Sequence, residues 1–467
     1  MKKQTVLAID LGAESGRVMA VHFDGRSLEV EELHRFPNVT VNLRGTLHWD
    51  FLRLWSDIQQ GIALGKRHNP ASLGVDTWGV DFGLLDSQGR LLGNPITYRD
   101  SRTDGVMERA FARLPQAEIF AQTGIQFMPI NTLYQMIALV ESGSPQLAAA
   151  HTFLTAPDLL NYWLTGVKVC EFSNATTTQL FNPRTGNWAW ELLDAFAIPR
   201  HIFPQVAQPG THLGAYEGIP VIAPACHDTG SAVAATPLES PHAAYISSGT
   251  WSLVGLEVAA PVINDAALAA NVTNEGGVYG TYRLLKNVMG LWILQQCRAT
   301  WAAAGEETSY AELTALAAQA APIETPVDPD DSRFLHPGDH PARLCDWYAE
   351  RGLPVPHTKG EIVRAVLQGL AKRYASVLTS LTSLTSLTDL TGQAADRIHI
   401  VGGGSQNRLL NQMTADATGL PVVAGPVETT VLGNALVQLI SLGELADIGQ
   451  ARQLVAQMGG QEEFLPG

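Results

Sequence analysis

Between Pro220 and Leu238 the chain reads PVIAPACHDTGSAVAATPL, and every residue is apolar, small, Pro, Thr or His except one carboxylate, Asp228. A carboxylate held at a helix start in apolar surroundings can take a proton from an alcohol. The same position suits a simpler task, because Asp228 or Thr229 could be the N-cap of a helix over HDTGSAVAA. One side chain can do both.

Two turns are built to approach an anion. In DLGAESGR, Asp10 ends an apolar strand, and Gly12, Ala13, Ser15 and Gly16 are small enough to bring backbone N–H groups against a phosphate. An ordinary hairpin turn is the alternative. SSGTW repeats this grammar at 247–251, with Ser247, Ser248 and Thr250 as hydroxyl donors around Gly249. A third glycine element, IHIVGGGSQNRLL, puts Gly402, Gly403 and Gly404 between a strand and a helix. Asn407 stands where a dinucleotide-binding loop needs its last glycine, so the loop suits the approach of a nucleotide ring or ribose, or a helix packed close on a strand. No GxxxxGK[ST] motif occurs, which excludes a P-loop, and no GxSxG with a partnered histidine supports a hydrolase.

GVDTWGVDF (74–82) offers Asp76, Trp78, Gly79 and Asp81 at a strand end. Carboxylates accept from sugar hydroxyls and an indole face covers sugar C–H groups. A core tryptophan flanked by turn acids is the other reading. YRDSRT (98–103) reads as a salt-bridged turn around Arg99, Asp100 and Arg102.

The elements that must position these residues occur twice. TVLAIDLG, RVMAVHF and the Asp-Gly hairpin FDGRSLEVEELHRF predict three strands, followed by a helix capped by Asp50 with Leu52, Trp55, Ile58 and Ile62 on one face. SLGVDTWGVDF then returns to strand. From residue 243, AAYISSGTWSLVGLEVAA and VYGTYRLLKNV predict strands, GLWILQQCRATWAAAG and KGEIVRAVLQGLAKRYASVLTSL helices, and RIHIV to TTVLGNALVQLISLGE a strand–helix–strand–helix close. The expectation is an N-terminal domain over 1–238 and a C-terminal domain over 243–467, parted at TPLESPHA and facing each other across a cleft. The repeat SLTSLTSLTDLTG from residue 380 places leucines every third residue, drifting about 60° per step around a helix, and is expected to extend a helix end into a frayed loop without chemistry.

Composition narrows the partners. At 467 residues the chain exceeds one ordinary core. Its net charge of −15 argues against a nucleic-acid partner. No run of eighteen apolar residues spans a membrane, and Asp10 interrupts the N-terminal apolar run before it resembles a signal peptide. Cys170, Cys226, Cys297 and Cys345 lack CxxC spacing, which fits reduced thiols in the cytoplasm. The oligomeric state is open, and a monomer satisfies the sequence.

AIDLGAESGR, GVDTWGVDFGLLD, YRDSRT, GIQFMPINTLYQM, NATTTQLFN, CHDTGSAV, YISSGTWSL, TNEGG, LKNVMGLWILQ and IHIVGGGSQN, in this order from residue 6 to about 440, resemble the FGGY family of carbohydrate kinases. The resemblance implies an α/β fold of two actin-like ATPase (ribonuclease H-like) domains, each a mixed sheet flanked by helices. It implies ATP with Mg2+, and L-rhamnulose phosphorylated on its 1-hydroxyl. Asp228 matches the family's proton acceptor. Gly79, His227, Asp228, Thr229 and Asn287 match its sugar contacts. Ala13, Glu14, Ser15, Gly16, Arg17, Thr250, Gln295 and Gly403 match its nucleotide contacts, with Asp10 near the magnesium through water. Glu14 departs from the pattern, since an acid beside a polyphosphate repels it unless it points outward or meets a cation. A kinase of another ketose or polyol, such as L-fuculose or D-xylulose, and a non-catalytic nucleotide-dependent regulator are the competing expectations; an NAD-dependent enzyme fails on glycine spacing.

Overall fold

The computed structural model describes residues 3–240, 242–386 and 395–467. Its first sheet is laid down by the N-terminal strands β1 (Gln4–Leu11), β2 (Ser15–Phe23) and β3 (Leu28–Pro37). Helix α1 (Phe51–Gly65) follows, then β4 (Ser72–Thr77). The sheet is completed by β5 (His212–Tyr216) and β6 (Ile219–Ile222), in the order β5-β6-β4-β1-β2-β3. β1 runs antiparallel to β2 and parallel to β4, and seven of its eight residues are buried, as a central strand covered on both faces must be.

Asp50 caps α1, its side chain accepting the Arg53 N–H. The buried face is Phe51, Leu54, Ile58 and Ile62, whereas Leu52, expected on that face, is 63% exposed. Phe51 outcompetes it because the i, i+3, i+7, i+11 stripe begins on the first helical residue. A short hairpin over Thr40–Leu43 and Thr46–Trp49, which the sequence reading lacks, precedes the helix.

Later elements include α2 (Phe172–Thr177) and α3 (Asp228–Ala235). The second sheet has the order β9-β10-β8-β7-β11-β12-β13. Its strands are β7 (Ala243–Ser248), β8 (Trp251–Val258), β9 (Thr273–Gly276), β10 (Tyr282–Met289), β11 (Arg397–Val401), β12 (Val422–Ala424) and β13 (Glu462–Phe464). Its helices include α4 (Trp292–Ala303), α5 (Lys359–Ser386) and α6 (Arg408–Thr418). The chain closes through α7 (Thr429–Ser441) and α8 (Ile448–Gln457).

By packing, one unit comprises Met1–Pro237, Glu257–Leu284 and Thr429–Gly459, and the other Leu238–Leu256, Leu285–Glu428 and Gly460–Gly467. The expected division into 1–238 and 243–467 treats the units as consecutive; the chain instead returns twice to the first. The second return has a plain cause: Val431, Leu432, Ala435, Leu436 and Leu439 of α7 join Val6, Ala8, Met19 and Val21 of β1 and β2 in one buried cluster.

The leucine repeat begins as the extension of a helix end, as expected. α5 stays helical to Ser386, with Leu378, Leu381 and Leu384 buried. The hydroxyls of Thr379, Ser380, Ser383 and Thr385 return to carbonyls four residues back, so they do not compete with the helix. The rest of the repeat lies outside the described residues.

Candidate active site

Asp228 is the first residue of α3, and the N-cap is His227, whose side chain makes no capping bond. Neither Asp228 nor Thr229 is therefore the cap considered from sequence; both lie inside the helix. Asp228 Oδ1 accepts the N–H of Thr229 at 2.5 Å and its hydroxyl at 3.1 Å, while Oδ2 takes no hydrogen bond from the described residues. The Asp228 side chain is 28% exposed. α3 explains the small residues around it: an added Cβ at Gly433 of α7 would lie 1.7 Å from the Ser231 carbonyl oxygen, so the two helices meet backbone to backbone.

The loop before Asp228 is held from α2. Glu171 accepts the N–H of Cys226 at 2.9 Å, the Ser173 N–H at 2.9 Å and the Ser173 hydroxyl at 2.6 Å, and Ser173 Oγ in turn accepts the His227 N–H at 3.0 Å. From the other side the Thr77 N–H donates to the Cys226 carbonyl at 2.9 Å, tying the loop to the end of β4. Burial pushes the Glu171 carboxyl up to about 6, against the pull of these donors.

His227 is wedged between charges. Arg283, fully buried, donates from Nη2 to His227 Nδ1 at 3.0 Å and lies 3.2 Å from Glu275 Oε2. With Nδ1 accepting, the ring proton sits on Nε2, which faces Asp228 Oδ1 at 3.4 Å.

Two more carboxylates sit near Asp228. Asp10 at the end of β1 is in register with Asp76 on parallel β4. Burial first, and then the neighbouring charges of Asp10 and Asp228, push Asp76 well above the usual carboxylate range. Asn434 of α7 opposes this by donating to Asp76 Oδ2 at 2.5 Å. Asp228 is likewise raised, by burial and by the Asp10 charge, with His227 and the Thr229 donors pulling it down. Asp76 Oδ1 is buried and meets no donor among the described residues. A shared proton or a cation would satisfy it, and the oxygen donors Asp10 and Asp76 suit a hard divalent ion.

The β1–β2 turn holds Ala13 and Glu14, with Ser15 opening β2. It is closed by Gly12 N–H to the Ser15 carbonyl at 3.0 Å and braced by Asn38, which donates to the carbonyls of Glu14 and Gly12. Glu14 is exposed. Gly16 is small for packing, since a Cβ would lie 2.2 Å from the Phe36 ring. Arg17 faces Asp10 across the hairpin and donates to its Oδ2 from Nε at 2.9 Å and Nη2 at 2.7 Å.

The second unit carries its own constellation. Thr250 sits in the β7–β8 turn, where Gln295 Nε2 reaches its hydroxyl at 3.3 Å and the Trp292 N–H bonds its carbonyl at 3.1 Å. In the glycine loop Gly402 has φ +81°, a Cβ on Gly404 would lie 2.0 Å from Ser248 Oγ, and Gly403 alone is exposed with open space where a Cβ would be. Asn287 lies on β10, also in the second unit.

Gly79 is packed beside Thr177, whose hydroxyl accepts the Val80 N–H at 3.1 Å; Val80 itself is held at φ +68°, a strained conformation for a β-branched residue. Trp78 and Asp81 turn inward. The indoles of Trp49 and Trp78 both donate to the fully buried Asp81 Oδ2, at 2.5 and 2.9 Å. Of the two readings open for this stretch, the core tryptophan with turn acids is the one the geometry fits. YRDSRT is a turn tied internally by the Arg102 N–H to Asp100 Oδ1 at 3.0 Å, and held from outside by Asp100 Oδ2 accepting the Leu47 N–H and by Arg102 reaching Gln135.

Glu171, Glu275, Arg283 and Asn434 were not singled out from sequence. The signal for Asn434 was present: it and Gln438 are polar residues four apart in the apolar helix GNALVQLIS. Gln438 donates to Asn434 Oδ1 and to the Leu7 carbonyl, and accepts from Ser72.

Comparison with known proteins meets this geometry at both ends of the chain. The N-terminal domain model of the FGGY family of carbohydrate kinases matches residues 5–233, and the C-terminal domain model matches residues 244–442. A rhamnulokinase of Bacteroides thetaiotaomicron is 42% identical over 97% of this chain and 94% of its own length. One from Enterobacter sp. (strain 638) is 44% identical over 98% and 94%. Among solved structures, the gluconate kinase from Lactobacillus acidophilus aligns over 100% of this chain and 94% of its own with a TM-score of 0.77 at 19% identity. Plasmodium falciparum glycerol kinase with ADP aligns over 99% and 94% with a TM-score of 0.77 at 17% identity. At those identities the structures speak for the fold, two mixed-sheet domains flanked by helices, and the family models speak for the lineage: the chain belongs to the FGGY family of carbohydrate kinases.

Proposed function

We propose that the chain transfers the γ-phosphoryl group of ATP to the 1-hydroxyl of L-rhamnulose, giving L-rhamnulose 1-phosphate and ADP. The observation that carries this reading is Asp228 itself: Oδ1 is tied down by Thr229, Oδ2 takes no hydrogen bond from the described residues, and burial raises the carboxyl above the usual carboxylate value, which favours proton uptake. The two rhamnulokinases of similar sequence support L-rhamnulose as the acceptor.

In this reading Asp228 Oδ2 takes the hydroxyl proton while the sugar oxygen forms its bond to phosphorus and the bond to ADP breaks. Phosphoryl transfer asks the protein for placement and charge neutralisation. Gly79, His227 and Thr229 are assigned to the sugar, with Asn287 from the second unit. The turn Ala13, Glu14, Ser15, Gly16 and Arg17 is assigned to the phosphates, and Thr250, Gln295 and Gly403 to the nucleotide. Asp10, through water, and Asp76 would hold Mg2+, which when bound neutralises phosphate charge. A cytoplasmic setting fits the four free cysteines.

The test is ADP release from Mg-ATP with L-rhamnulose, L-fuculose, D-xylulose or glycerol at equal concentration, against a sugar-free control. L-rhamnulose should be preferred, and Asp228→Asn should lower kcat by about 10²- to 10⁴-fold with the fold intact. Sugar-dependent turnover that survives Asp228→Asn unchanged would remove Asp228 from the chemistry; preference for another sugar would replace the substrate.

A further inference from the structure

On the opposite strand positions of the first sheet from the carboxylates lies a second cluster of ligating side chains. His22 on β2 pairs directly with Thr5 on β1, and Glu31 lies on the next strand, β3, two residues beyond the Glu29 that faces His22. Side chains at that diagonal share a face of the sheet. His68 arrives from the 3-10 turn Lys66–His68 that follows α1. Glu31 Oε2 is 3.4 Å from His22 Nε2 and 3.4 Å from His68 Nε2, and the ligand atoms of all three lie within 4.8 Å of one another. The His22 and His68 rings stand edge to face with centroids 5.0 Å apart.

These distances have a simple meaning. Bonds of about 2.0–2.2 Å to a tetrahedral zinc ion put neighbouring ligand atoms about 3.4 Å apart. Metal-binding histidines also need their other ring nitrogen engaged, so that the lone pair is fixed on the metal side. His22 has this: Thr5 Oγ1, itself buried, lies 2.8 Å from Nδ1. Accepting the Nδ1–H there leaves the Nε2 lone pair facing Glu31. Two imidazoles and one carboxylate form the donor set of open three-ligand zinc sites.

We propose that His22 Nε2, His68 Nε2 and Glu31 Oε2 bind a zinc-class divalent cation, with water as the fourth ligand. The ion would tie the edge strand β3 and the turn after α1 to the interior of the first sheet. Arg67 is the internal competitor. It donates from Nε to His68 Nε2 at 3.0 Å and from Nη2 to Glu31 Oε1 at 2.5 Å. Its side chain is 58% exposed, so it can release His68 while keeping the outer oxygen of Glu31.

The experiment uses the full chain, freed of metal with a chelator and titrated with Co2+, reading the visible absorption of tetrahedral cobalt, and with Zn2+, reading thermal unfolding. One equivalent should bind with tetrahedral bands, and Zn2+ should raise the unfolding temperature. His68→Ala and Glu31→Gln should each abolish the bands. Thr5→Val should weaken binding about 10- to 100-fold, and Arg67→Met should tighten it. His357→Ala, an exposed histidine elsewhere, should change nothing. Metal-free unfolding of each variant separates lost ligation from lost folding. Absence of tetrahedral bands, or one-to-one binding that persists in both His68→Ala and Glu31→Gln, overturns the proposal, and neither result bears on the kinase reading.

Discussion

The carboxylate of Glu171 accepts the backbone N–H of Cys226 at 2.9 Å, two residues ahead of Asp228, so the position of the acid in α3 is set by the acid that caps α2. Glu171→Ala strands three buried N–H groups, those of Ser173, Asn174 and Cys226. The expected cost is about 2 kcal/mol or more in urea unfolding. Displacement of the loop should also lower kcat about 10- to 100-fold. A kcat equal to that of the unaltered chain would show that the loop holds its place without Glu171.

The pH dependence of kcat/KM should report the neighbours of Asp228. Its carboxyl is raised by burial and by the Asp10 charge and lowered by His227, so the acid limb should lie above the usual carboxylate range. Asp10→Asn removes a negative neighbour and should move that limb to lower pH; His227→Gln removes the imidazole whose Nε2 faces Asp228 Oδ1 and lowers its carboxyl, and should move the limb to higher pH. Shifts in the same direction would contradict this electrostatic arrangement.

Asp158 gives a stability signature separate from activity. Burial pushes its carboxyl up to about 8, while it accepts the Glu171 N–H and a Thr155 hydroxyl. The folded chain then holds a proton that the unfolded chain releases above its ordinary value near 4. Its contribution is complete below that value and is lost as pH rises toward 8. Urea midpoints should fall between pH 5 and 8 more steeply for the unaltered chain than for Asp158→Asn.

Two glycines should separate packing from binding. Gly433→Ala drives a methyl into the Ser231 carbonyl at the α3–α7 contact and should cost about 3 kcal/mol. Gly403→Ala meets nothing within 4 Å, so thermal unfolding should be unchanged. On the nucleotide assignment, the KM for ATP should rise about 10-fold.

What could be read from the sequence was local. The Asp50 cap, the strand–turn–strand at Asp10 and the one at Thr250 are encoded within a few residues, and they stand where expected. Leu52 was misplaced because periodicity alone does not choose between two overlapping stripes. Trp78 and Asp81 could serve a sugar or the core, and that choice rested on Trp49, twenty-nine residues before Trp78 in the chain but 4.3 Å from it between ring centroids. The bond from Asn434 to Asp76 spans 358 residues, and no periodicity joins its two ends. The paired domain segments were legible as repeats of pattern; the return of Glu257–Leu284 to the first unit was not, because a strand pattern does not say which unit will bury it.

The polar ladder from α7 to the first sheet also sets an order of completion during synthesis. Asp10, Asp76 and Asp228 are all made in the first half of the chain, but the donor to Asp76 is Asn434, and the partner of Ser72 is Gln438, 366 residues later. At about 5–20 residues per second, a ribosome needs roughly 20–70 s to travel from Asp76 to Asn434. Throughout that interval the nascent first sheet lacks the apolar face of α7 over β1 and β2, and Asp76 lacks its amide donor. The carboxylate cluster is thus among the first parts of the protein to be translated and among the last to be assembled.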